Sequence, residues 1–374
     1  MQQVTKKVNR PAATLNRCHA QKVPSEYVIL PPFKRMDTHQ QILIDKIFNA
    51  RAFDPALALE VFRYQYAFKA GVYRQWCESI GIQSSNQVRS ITEIPFLPIS
   101  FFKSKAVKTG EFTPELIFES SGTTQTQNSR HHVKDGAIYQ ASFVKAFERF
   151  YGDPKDYCIL GLLPNYLEKG HSSLVKMVHE LNELSGHPKG GFYLYDFDGL
   201  GRLLLELENS GQQTLLIGVT FALLDFADHF EGLKRAVQCS DPLNQIVFMD
   251  TGGMKGRKKE MTRQEVHDQL TSKLGVKVIH SEYGMTELLS QAYSKGNGRY
   301  QCPPWMQVLV RDENDPFELK IKGKGLINVI DLANIYSCSF IATDDIGWIH
   351  QDYFEIWGRL DHSDLRGCSL LVVD

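Results

Sequence analysis

The hydrophobic pattern of the first third of the chain predicts helices. Between residues 42 and 48, isoleucine and phenylalanine recur at helical spacing and form one apolar face. Asp54 followed by proline is a typical helix start, and we expect a second helix from there to Phe68. A third helix is predicted over residues 73–80. The apolar stretch 94–99 is broken by prolines and therefore favours a buried extended connection.

From residue 116 onward, short apolar runs alternate with helical segments. Strands are predicted at residues 116–118, 157–163, 192–195, 214–219, 245–249 and 276–279. Helices are predicted at residues 135–150, 174–184, 200–207, 222–230 and 262–274. Strands that alternate with helices in this way indicate βαβ units. We therefore predict an α/β fold of mostly parallel sheets flanked by helices.

Beyond Tyr300 the pattern changes to short strands separated by turns at residues 312–316 and 323–325. This predicts a small C-terminal β appendage, antiparallel or barrel-like. The predicted division of the chain is a disordered or over-annotated leader (1–35), a core domain (36–357) and a hinge-like C-terminal tail (358–374). The leader holds seven Lys or Arg residues against one acid, Glu26. A transit peptide is the alternative interpretation of this leader.

Charge and cysteine content exclude several classes of protein. The formal net charge is −1, so no global field attracts nucleic acid or an anionic membrane. No apolar run approaches the roughly 18 residues of a membrane span. The seven cysteines are scattered, and no secretory signal precedes them. This usage is typical of reduced thiols and predicts a cytoplasmic protein.

A dense cluster of hydroxyl groups directly follows the predicted strand at 116–118. Its residues are Ser120, Ser121, Gly122, Thr123 and Thr124. Such a loop presents backbone N–H groups together with hydroxyls, and its glycine permits a tight turn. That combination suits the oxygens of a phosphate, although no Gly-Lys-Ser/Thr follows, so this is not a P-loop. A solvated turn is the alternative.

Two further loops are expected at the carboxyl ends of parallel strands, where such sheets bind ligands. After strand 245–249, Gly252 and Gly253 would let the backbone approach a flat ligand closely, although a plain turn explains them equally well. After strand 276–279, residues 282–287 offer an aromatic ring, a glycine, a hydroxyl and a carboxylate. These groups suit ring stacking, phosphate contact and Mg²⁺ binding.

A carboxylate and an arginine near the C-terminus suit a ribose. Residues 344–345 are both aspartates, and Arg359 lies in a Gly-Arg-Leu-Asp stretch. A carboxylate in a buried strand can accept hydrogen bonds from two ribose hydroxyls, and an arginine can hold ribose or phosphate. A turn before a hairpin is the alternative for the two aspartates.

In this order, the four stretches resemble the motifs of the adenylate-forming superfamily. Residues 120–124 resemble its phosphate loop, 283–287 its aromatic-Gly-x-Thr-Glu motif, 343–347 its Thr-Gly-Asp-x-Gly motif and 358–361 its Gly-Arg-x-Asp hinge. The resemblance implies ATP and Mg²⁺ as cofactors. It implies nucleotide binding by residues 120–124 and by Gly252, Gly253, Tyr283, Gly284, Asp345 and Arg359. It also implies catalysis by Thr286 and Glu287, with Glu287 at the metal.

Within that superfamily, the chain resembles most the LuxE-type acyl-protein synthetases of bacterial fatty-acid reductase systems. Residues 161–168, 171–174, 251–253 and 365–370 carry this likeness. It implies that a carboxylic acid, expected to be fatty, is activated as acyl-AMP and then transferred to a protein cysteine. Cys368 is the implied acceptor, and an acyl-accepting reductase or carrier protein is a compatible partner. A terminal strand with Cys368 packed inward is the alternative.

Two departures from the superfamily pattern leave other functions open. The phosphate loop lacks its usual lysine, for which Arg130 is a candidate substitute. The residues up to Asp374 supply no mobile C-terminal domain with its catalytic lysine. A CoA ligase of the phenylacetate type, with free CoA as acceptor, is therefore one alternative. A nucleotide-binding pseudoenzyme is another.

Overall fold

A computed structural model describes residues 38–120, 127–163, 171–236, 243–252, 261–312 and 315–360. Within these ranges the α helices are α1 (Thr38–Asn49), α2 (Pro55–Ala67), α3 (Val72–Ser79), α4 (Phe101–Ser104), α5 (Gly136–Tyr151), α6 (Ser173–Ser185), α7 (Phe197–Ser210), α8 (Thr220–Ala236) and α9 (Arg263–Leu274). The strands are β1 (Leu97–Pro98), β2 (Leu116–Glu119), β3 (Arg130–Val133), β4 (Cys158–Leu162), β5 (Gly191–Phe192), β6 (Thr214–Gly218), β7 (Ile246–Asp250), β8 (His280–Tyr283), β9 (Ala292–Ser294), β10 (Tyr300–Gln301), β11 (Met306–Arg311), β12 (Leu319–Lys320), β13 (Gly323–Asp331), β14 (Phe340–Ile349) and β15 (Phe354–Arg359).

One continuous sheet runs through most of the described chain. Its strand order is β12-β11-β13-β14-β15-β10-β9-β8-β7-β6-β4-β5. The strands from β5 to β8 pair in parallel, and those from β8 to β12 pair antiparallel. The α/β class is confirmed. The sheet itself is mixed. The antiparallel C-terminal strands belong to the same sheet as the parallel strands, and β9 and β10 connect the two halves.

The N-terminal helices form where the sequence predicts them. The Asp54 side chain caps α2 by accepting a hydrogen bond from the Ala56 amide. In α1, however, Ile42 is 47% exposed and Leu43 is buried in its place. The predicted buried connection contains β1, which pairs in parallel with β14. The N-terminal region is therefore joined directly to the antiparallel half of the sheet.

Two strands have other bounds in the structure than the sequence predicts. The strand predicted at 192–195 is limited to Gly191–Phe192, and the strand predicted at 276–279 begins only at His280. Helix α9 ends at Leu274 and is capped by Gly275, which has a positive φ of 74°, and residues 276–279 form the connection to β8. Glu282 and Tyr283 consequently lie inside β8 rather than beyond it.

Other predicted elements agree with the structure within a few residues. Strands β4 and β6 are buried at every position, as expected for parallel strands covered on both faces. Asp344 and Asp345 lie inside β14 and not in a turn. Because β15 extends to Arg359, the expected boundary between residues 357 and 358 falls inside a strand. Among the described residues, no helix is long and apolar enough to cross a membrane.

Candidate active site

A cavity of about 440 Å³ opens at the carboxyl ends of β7 and β8. Its walls come from the hairpin of β2 and β3, from α4, from the sides of α5 and α6, and from β14 and β15. The predicted site residues that line it are Ser120, Gly284, Thr286, Glu287 and Arg359. The predicted site residues Ser121, Gly122, Thr123, Thr124, Gly253 and Cys368 lie outside the described residues. The geometry therefore places five predicted residues from three separate stretches around one space.

Asp345 is held by an aromatic hydroxyl and a guanidinium. The Tyr283 hydroxyl donates to Oδ2 of Asp345 over 2.7 Å, and Nε of Arg359 donates to Oδ1 over 2.9 Å. Asp345 and Arg359 are cross-strand partners in β14 and β15. The negative charge of Asp345 raises the pKa of Arg359. The Thr343 hydroxyl accepts a hydrogen bond from the Asp345 amide and donates to the Ile327 carbonyl, which fixes this segment of β14.

The ring of Tyr283 belongs to the core in this structure. It is 7% exposed and packs edge-on against Tyr300 and Phe354, with ring centroids 5.9 and 5.6 Å apart. Tyr283 and Asp345 lie behind the cavity lining, and Arg359 extends from this pair into it. A stacking role for the Tyr283 ring stays a prediction, and its visible contact is the hydrogen bond to Asp345.

Glu287 is a buried carboxyl group surrounded by positive charge. It is 6% exposed, and burial raises its pKa. A hydrogen bond with Ser129 and the positive charges of Arg359 and Lys103 act in the opposite direction and lower this pKa. The position suits a carboxylate that faces a cation and phosphate oxygens.

The backbone of Thr286 and Glu287 is fixed by polar side chains from distant elements. Nδ1 of His131 donates to the Thr286 carbonyl over 2.9 Å, and its Nε2 accepts from the Ser337 hydroxyl over 2.9 Å. Burial lowers the pKa of His131 to about 4, so the imidazole is neutral at pH 7. The Asn334 amide donates to the Glu287 carbonyl over 2.8 Å. These contacts fix the backbone, and the Glu287 side chain lines the cavity.

The ends of the hydroxyl-rich loop meet below the cavity. The Ser120 amide donates to the Ser129 carbonyl over 3.1 Å, and the Ser129 amide donates to the Ser120 hydroxyl over 2.9 Å. Arg130, the expected substitute for a phosphate-loop lysine, is paired with Glu119 at 3.0 Å and is not among the lining residues. That expectation remains a prediction, and a different cation lines the cavity.

Lys103 is this cation, and sequence reasoning missed it. It lies in α4, a helix of only four residues that matches no motif. The buried Phe102 beside it packs edge-on against the His131 ring at 5.6 Å, which directs Lys103 to the cavity. The signal in the sequence that could have found Lys103 is its position directly after two phenylalanines, Phe101 and Phe102, shortly before the hydroxyl-rich loop.

Gly252 ends β7 in a conformation that favours glycine, with φ of 77°. Its amide donates to Oδ1 of the buried Asp250 over 2.9 Å, and the Thr220 hydroxyl donates to the same oxygen over 2.7 Å. Thr251 lines the cavity. The tight turn is thus explained by local hydrogen bonds, and the nucleotide contact expected of Gly252 stays a prediction.

A single carboxylate fits the expected metal. Among the described residues, no three His, Cys, Asp or Glu side chains come close enough together to hold a metal ion by themselves. Mg²⁺ in nucleotide-dependent enzymes is commonly bound through one or two carboxylates together with phosphate oxygens and water. Glu287 therefore fits as the protein ligand of an ion that arrives with ATP.

Comparison with known proteins identifies the family of this chain. The family model described as acyl-protein synthetase, LuxE, matches residues 45–374. The long-chain-fatty-acid–luciferin-component ligase of Aliivibrio fischeri is 24% identical over 344 residues, covering 85% of this chain and 87% of that protein. The ligase of the same name from Vibrio harveyi is 22% identical over 325 residues, covering 82% and 84%.

One solved structure supports the fold. An open conformation of 2-hydroxyisobutyryl-CoA ligase, in complex with 2-HIB-AMP and CoA, superposes with a TM-score of 0.55 at 14% identity. The match covers 82% of this chain and 75% of that one. The fold of the described residues is thus that of an adenylate-forming ligase.

Proposed function

Because this chain belongs to the LuxE acyl-protein synthetase family, we propose that its cavity activates a carboxylic acid with ATP. The product is an acyl-AMP, and the acyl group then passes to a protein cysteine as a thioester. The observation that carries this proposal is the Asp345–Arg359 pair placed beside Glu287 at the carboxyl edge of the sheet. The names of the two bacterial relatives refer to a long-chain fatty acid, which supports a fatty acid as the first substrate to test.

Asp345 has hydrogen-bonding capacity left for a ribose. Each carboxylate oxygen carries two lone pairs, and Tyr283 and Arg359 occupy one on each. The remaining pair of acceptor positions suits the two vicinal ribose hydroxyls. Because Asp345 is fixed from both sides, it is already oriented before the nucleotide arrives, which lowers the entropic cost of binding.

In the first step, an oxygen of the substrate carboxylate attacks the α-phosphorus of ATP. A new C(=O)–O–P bond forms, and the bond between the α-phosphorus and the pyrophosphate oxygen breaks. Both reactants are anions, so the protein must offset their repulsion with preorganised positive charge. Lys103 and Arg359, which both line the cavity, provide it. Mg²⁺ held near Glu287 would neutralise the charge that develops on the pyrophosphate.

In the second step, a cysteine thiolate attacks the acyl carbonyl and AMP leaves. The described cysteines are poor candidates, because burial raises the thiol pKa of Cys77 and Cys158 to about 12 and that of Cys302 and Cys338 further. A thiol with such a pKa is almost fully protonated at pH 7 and is a weak nucleophile. The family resemblance favours Cys368 as the acceptor, from which a reductase or carrier protein could take the acyl group.

The test combines two measurements. ATP–pyrophosphate exchange over a panel of carboxylic acids should show exchange with at least one acid. A radiolabelled form of that acid, supplied with ATP, should then label the protein in a hydroxylamine-sensitive way. Cys368→Ser should keep exchange and lose labelling, whereas Cys18→Ser and Cys239→Ser should keep both.

Other outcomes identify the alternatives. Equal labelling of wild type and Cys368→Ser would remove Cys368 from the reaction. A product that forms only with CoA, without protein labelling, would favour an acyl- or aryl-CoA ligase. ATP binding without exchange for any acid would favour a nucleotide-binding pseudoenzyme.

A further inference from the structure

Neighbouring side chains of β8 lie in two chemically different environments on opposite faces of the strand. The Tyr283 side chain points to Asp345, on the side expected for the nucleotide. Because successive side chains of a strand point to opposite faces, Glu282 points the other way, toward α5 and α6. There it lines the cavity together with Tyr139 and Met177. This part of the cavity, called the second end, lies on the face of β8 opposite the Tyr283–Asp345 contact, and it is the place expected for the acid substrate.

The second end contains a buried carboxyl group without a hydrogen-bond partner among the described residues. Glu282 is 8% exposed, and burial together with the negative charge of Asp250 raises its pKa to about 8. Gly284 leaves room for it, because a Cβ atom at that position would lie 2.3 Å from Oε1 of Glu282. The carboxyl group is therefore accommodated by the fold while its hydrogen-bonding capacity is unused.

A buried amide on the same wall is also unsatisfied. Gln291 is 4% exposed, lines the cavity, and its Oε1 has no hydrogen-bond partner within the described ranges. A buried amide usually finds partners in the protein or in a ligand, because desolvation without compensation is costly. A half-turn of the amide can present either its donor or its acceptor side to the cavity.

We propose that Glu282 and Gln291 bind a hydroxyl or amino group carried on the acyl chain of the substrate. This inference rests on the proposed acid activation and specifies its substrate class: a polar, hydrogen-bond-donating carboxylic acid rather than a plain fatty acid. A hydroxyl would donate a hydrogen bond to one of the two side chains and accept one from the other, and a protonated amino group would donate to both, so that either group satisfies both side chains. An unsubstituted alkyl chain would leave the carboxyl and the amide desolvated and unpaired.

The expected preference for a polar acid over an unsubstituted acid follows from the cost of leaving buried polar groups unpaired. A site built to hydrogen-bond a substrate group discriminates strongly against an analogue that lacks it, because its buried polar groups are then left unpaired. We expect a preference of at least about tenfold for the polar acid, which is modest for such sites. The 6-amino group of adenine is another hydrogen-bond donor, so the test keeps the adenosine part constant.

The experiment measures binding of non-hydrolysable acyl-adenylate analogues by titration calorimetry. The probes are 5′-O-(N-acylsulfamoyl)adenosines in which an octanoyl chain is unsubstituted or carries one hydroxyl or amino group at successive carbons. For the wild-type protein, at least one polar probe should bind about tenfold or more tighter than the unsubstituted one. In Gln291→Leu and Glu282→Leu this ratio should fall toward one, and Glu282→Gln should retain it for the hydroxyl probe.

Gln75→Leu is the matched control, because Gln75 is exposed on α3 and outside the cavity lining. It should keep the wild-type ratio. Gln291→Leu removes an unpartnered buried amide, so its melting temperature should not fall. Equal or tighter binding of the unsubstituted probe by wild type would overturn the proposal, as would an unchanged ratio in both leucine variants.

Pyrophosphate exchange with the corresponding free acids separates this inference from the proposed function. Exchange with unsubstituted and polar acids alike, with equal probe binding, would support acid activation and overturn the polar substrate. Selective binding of a polar probe without exchange for any acid would support the polar subsite and refute acid activation. Failure of every probe to bind would overturn both.

Discussion

Asp345 and Arg359 face each other across β14 and β15, with Nε of Arg359 2.9 Å from Oδ1 of Asp345. The pair joins the two motifs that lie furthest toward the C-terminus among the described residues, and Tyr283 holds the second oxygen of the same carboxylate. A ribose bound to Asp345 would thus be positioned by three separate strands. Loss of either Asp345 or Arg359 should therefore weaken ATP binding more than it slows the chemical step.

We predict that Asp345→Ala and Arg359→Ala raise KM for ATP by about 10- to 100-fold, the range expected for a lost charge-assisted hydrogen bond. Their contacts with ribose are made in the ground state and the transition state alike, so kcat should fall less. Steady-state exchange kinetics measure both. Arg74→Ala is the matched control, because Arg74 pairs with Glu78 at 2.7 Å outside the cavity lining. A defect confined to kcat would contradict a ribose role.

Glu287→Gln should lower the rate of adenylation by about 10²- to 10³-fold while the protein remains folded. The amide has almost the same shape but no charge, so the contact with a metal-bound nucleotide is lost. The required Mg²⁺ concentration should rise as well. Glu60→Gln, at an exposed ion pair with Lys46, serves as the control. Unchanged exchange in folded Glu287→Gln would refute the assignment.

Lys103 and Arg130 make opposite predictions about the cation that faces the phosphates. Lys103→Met should reduce kcat/KM for ATP by about 10- to 100-fold, because a charge that stabilises the transition state is lost. Lys103→Arg should restore part of the activity. Arg130→Met should have little effect, since Arg130 pairs with Glu119. The reverse pattern, measured by exchange, would return the role to Arg130.

The neutral His131 should make stability depend on pH. Its folded pKa of about 4 lies below the ordinary value of 6.5, so the unfolded chain binds a proton first as the pH falls. The contribution of neutral His131 to the free energy of unfolding is complete above pH 6.5. It is lost as the pH falls from 6.5 to 4, and the loss is up to about 3 kcal/mol. His131→Asn keeps a donor for the Thr286 carbonyl but does not titrate. The free energy of unfolding, measured with urea, should fall less in this variant than in wild type as the pH is lowered from 6.5 to 4.

Other groups, such as His280 with a pKa lowered by burial to about 4, also titrate in this range. They are common to wild type and His131→Asn, so the difference between the two curves isolates His131. Parallel curves for the two proteins would contradict the buried neutral histidine.

Local signals in the sequence predicted the elements and much of the site. Asp54 and its proline identified the start of α2, and apolar runs located β4 and β6, which are buried at every position, and β7, which is buried at all but one. The motif residues Glu287 and Arg359 were found because their neighbours in sequence carry a recognisable pattern. Such signals depend on a few adjacent residues.

What the sequence could not provide depends on register and on distant packing. Placing β8 at 276–279 hid the fact that Glu282 and Tyr283 are strand neighbours with opposite directions. Lys103 reaches the cavity only because Phe102 packs on His131 from another strand. Neither relationship is expressed in the residues next to these positions.

The pairing of β1 with β14 has a consequence for how the protein is made. The Ile99 amide donates to the Ala342 carbonyl over 2.9 Å, so the segment that carries Lys103 is anchored to a strand synthesised much later. Contacts between such distant residues form late in folding, because a long loop must close first. On the ribosome, the two walls of the cavity can meet only after β14 has emerged, and a truncated nascent chain has no site in which ATP could react prematurely.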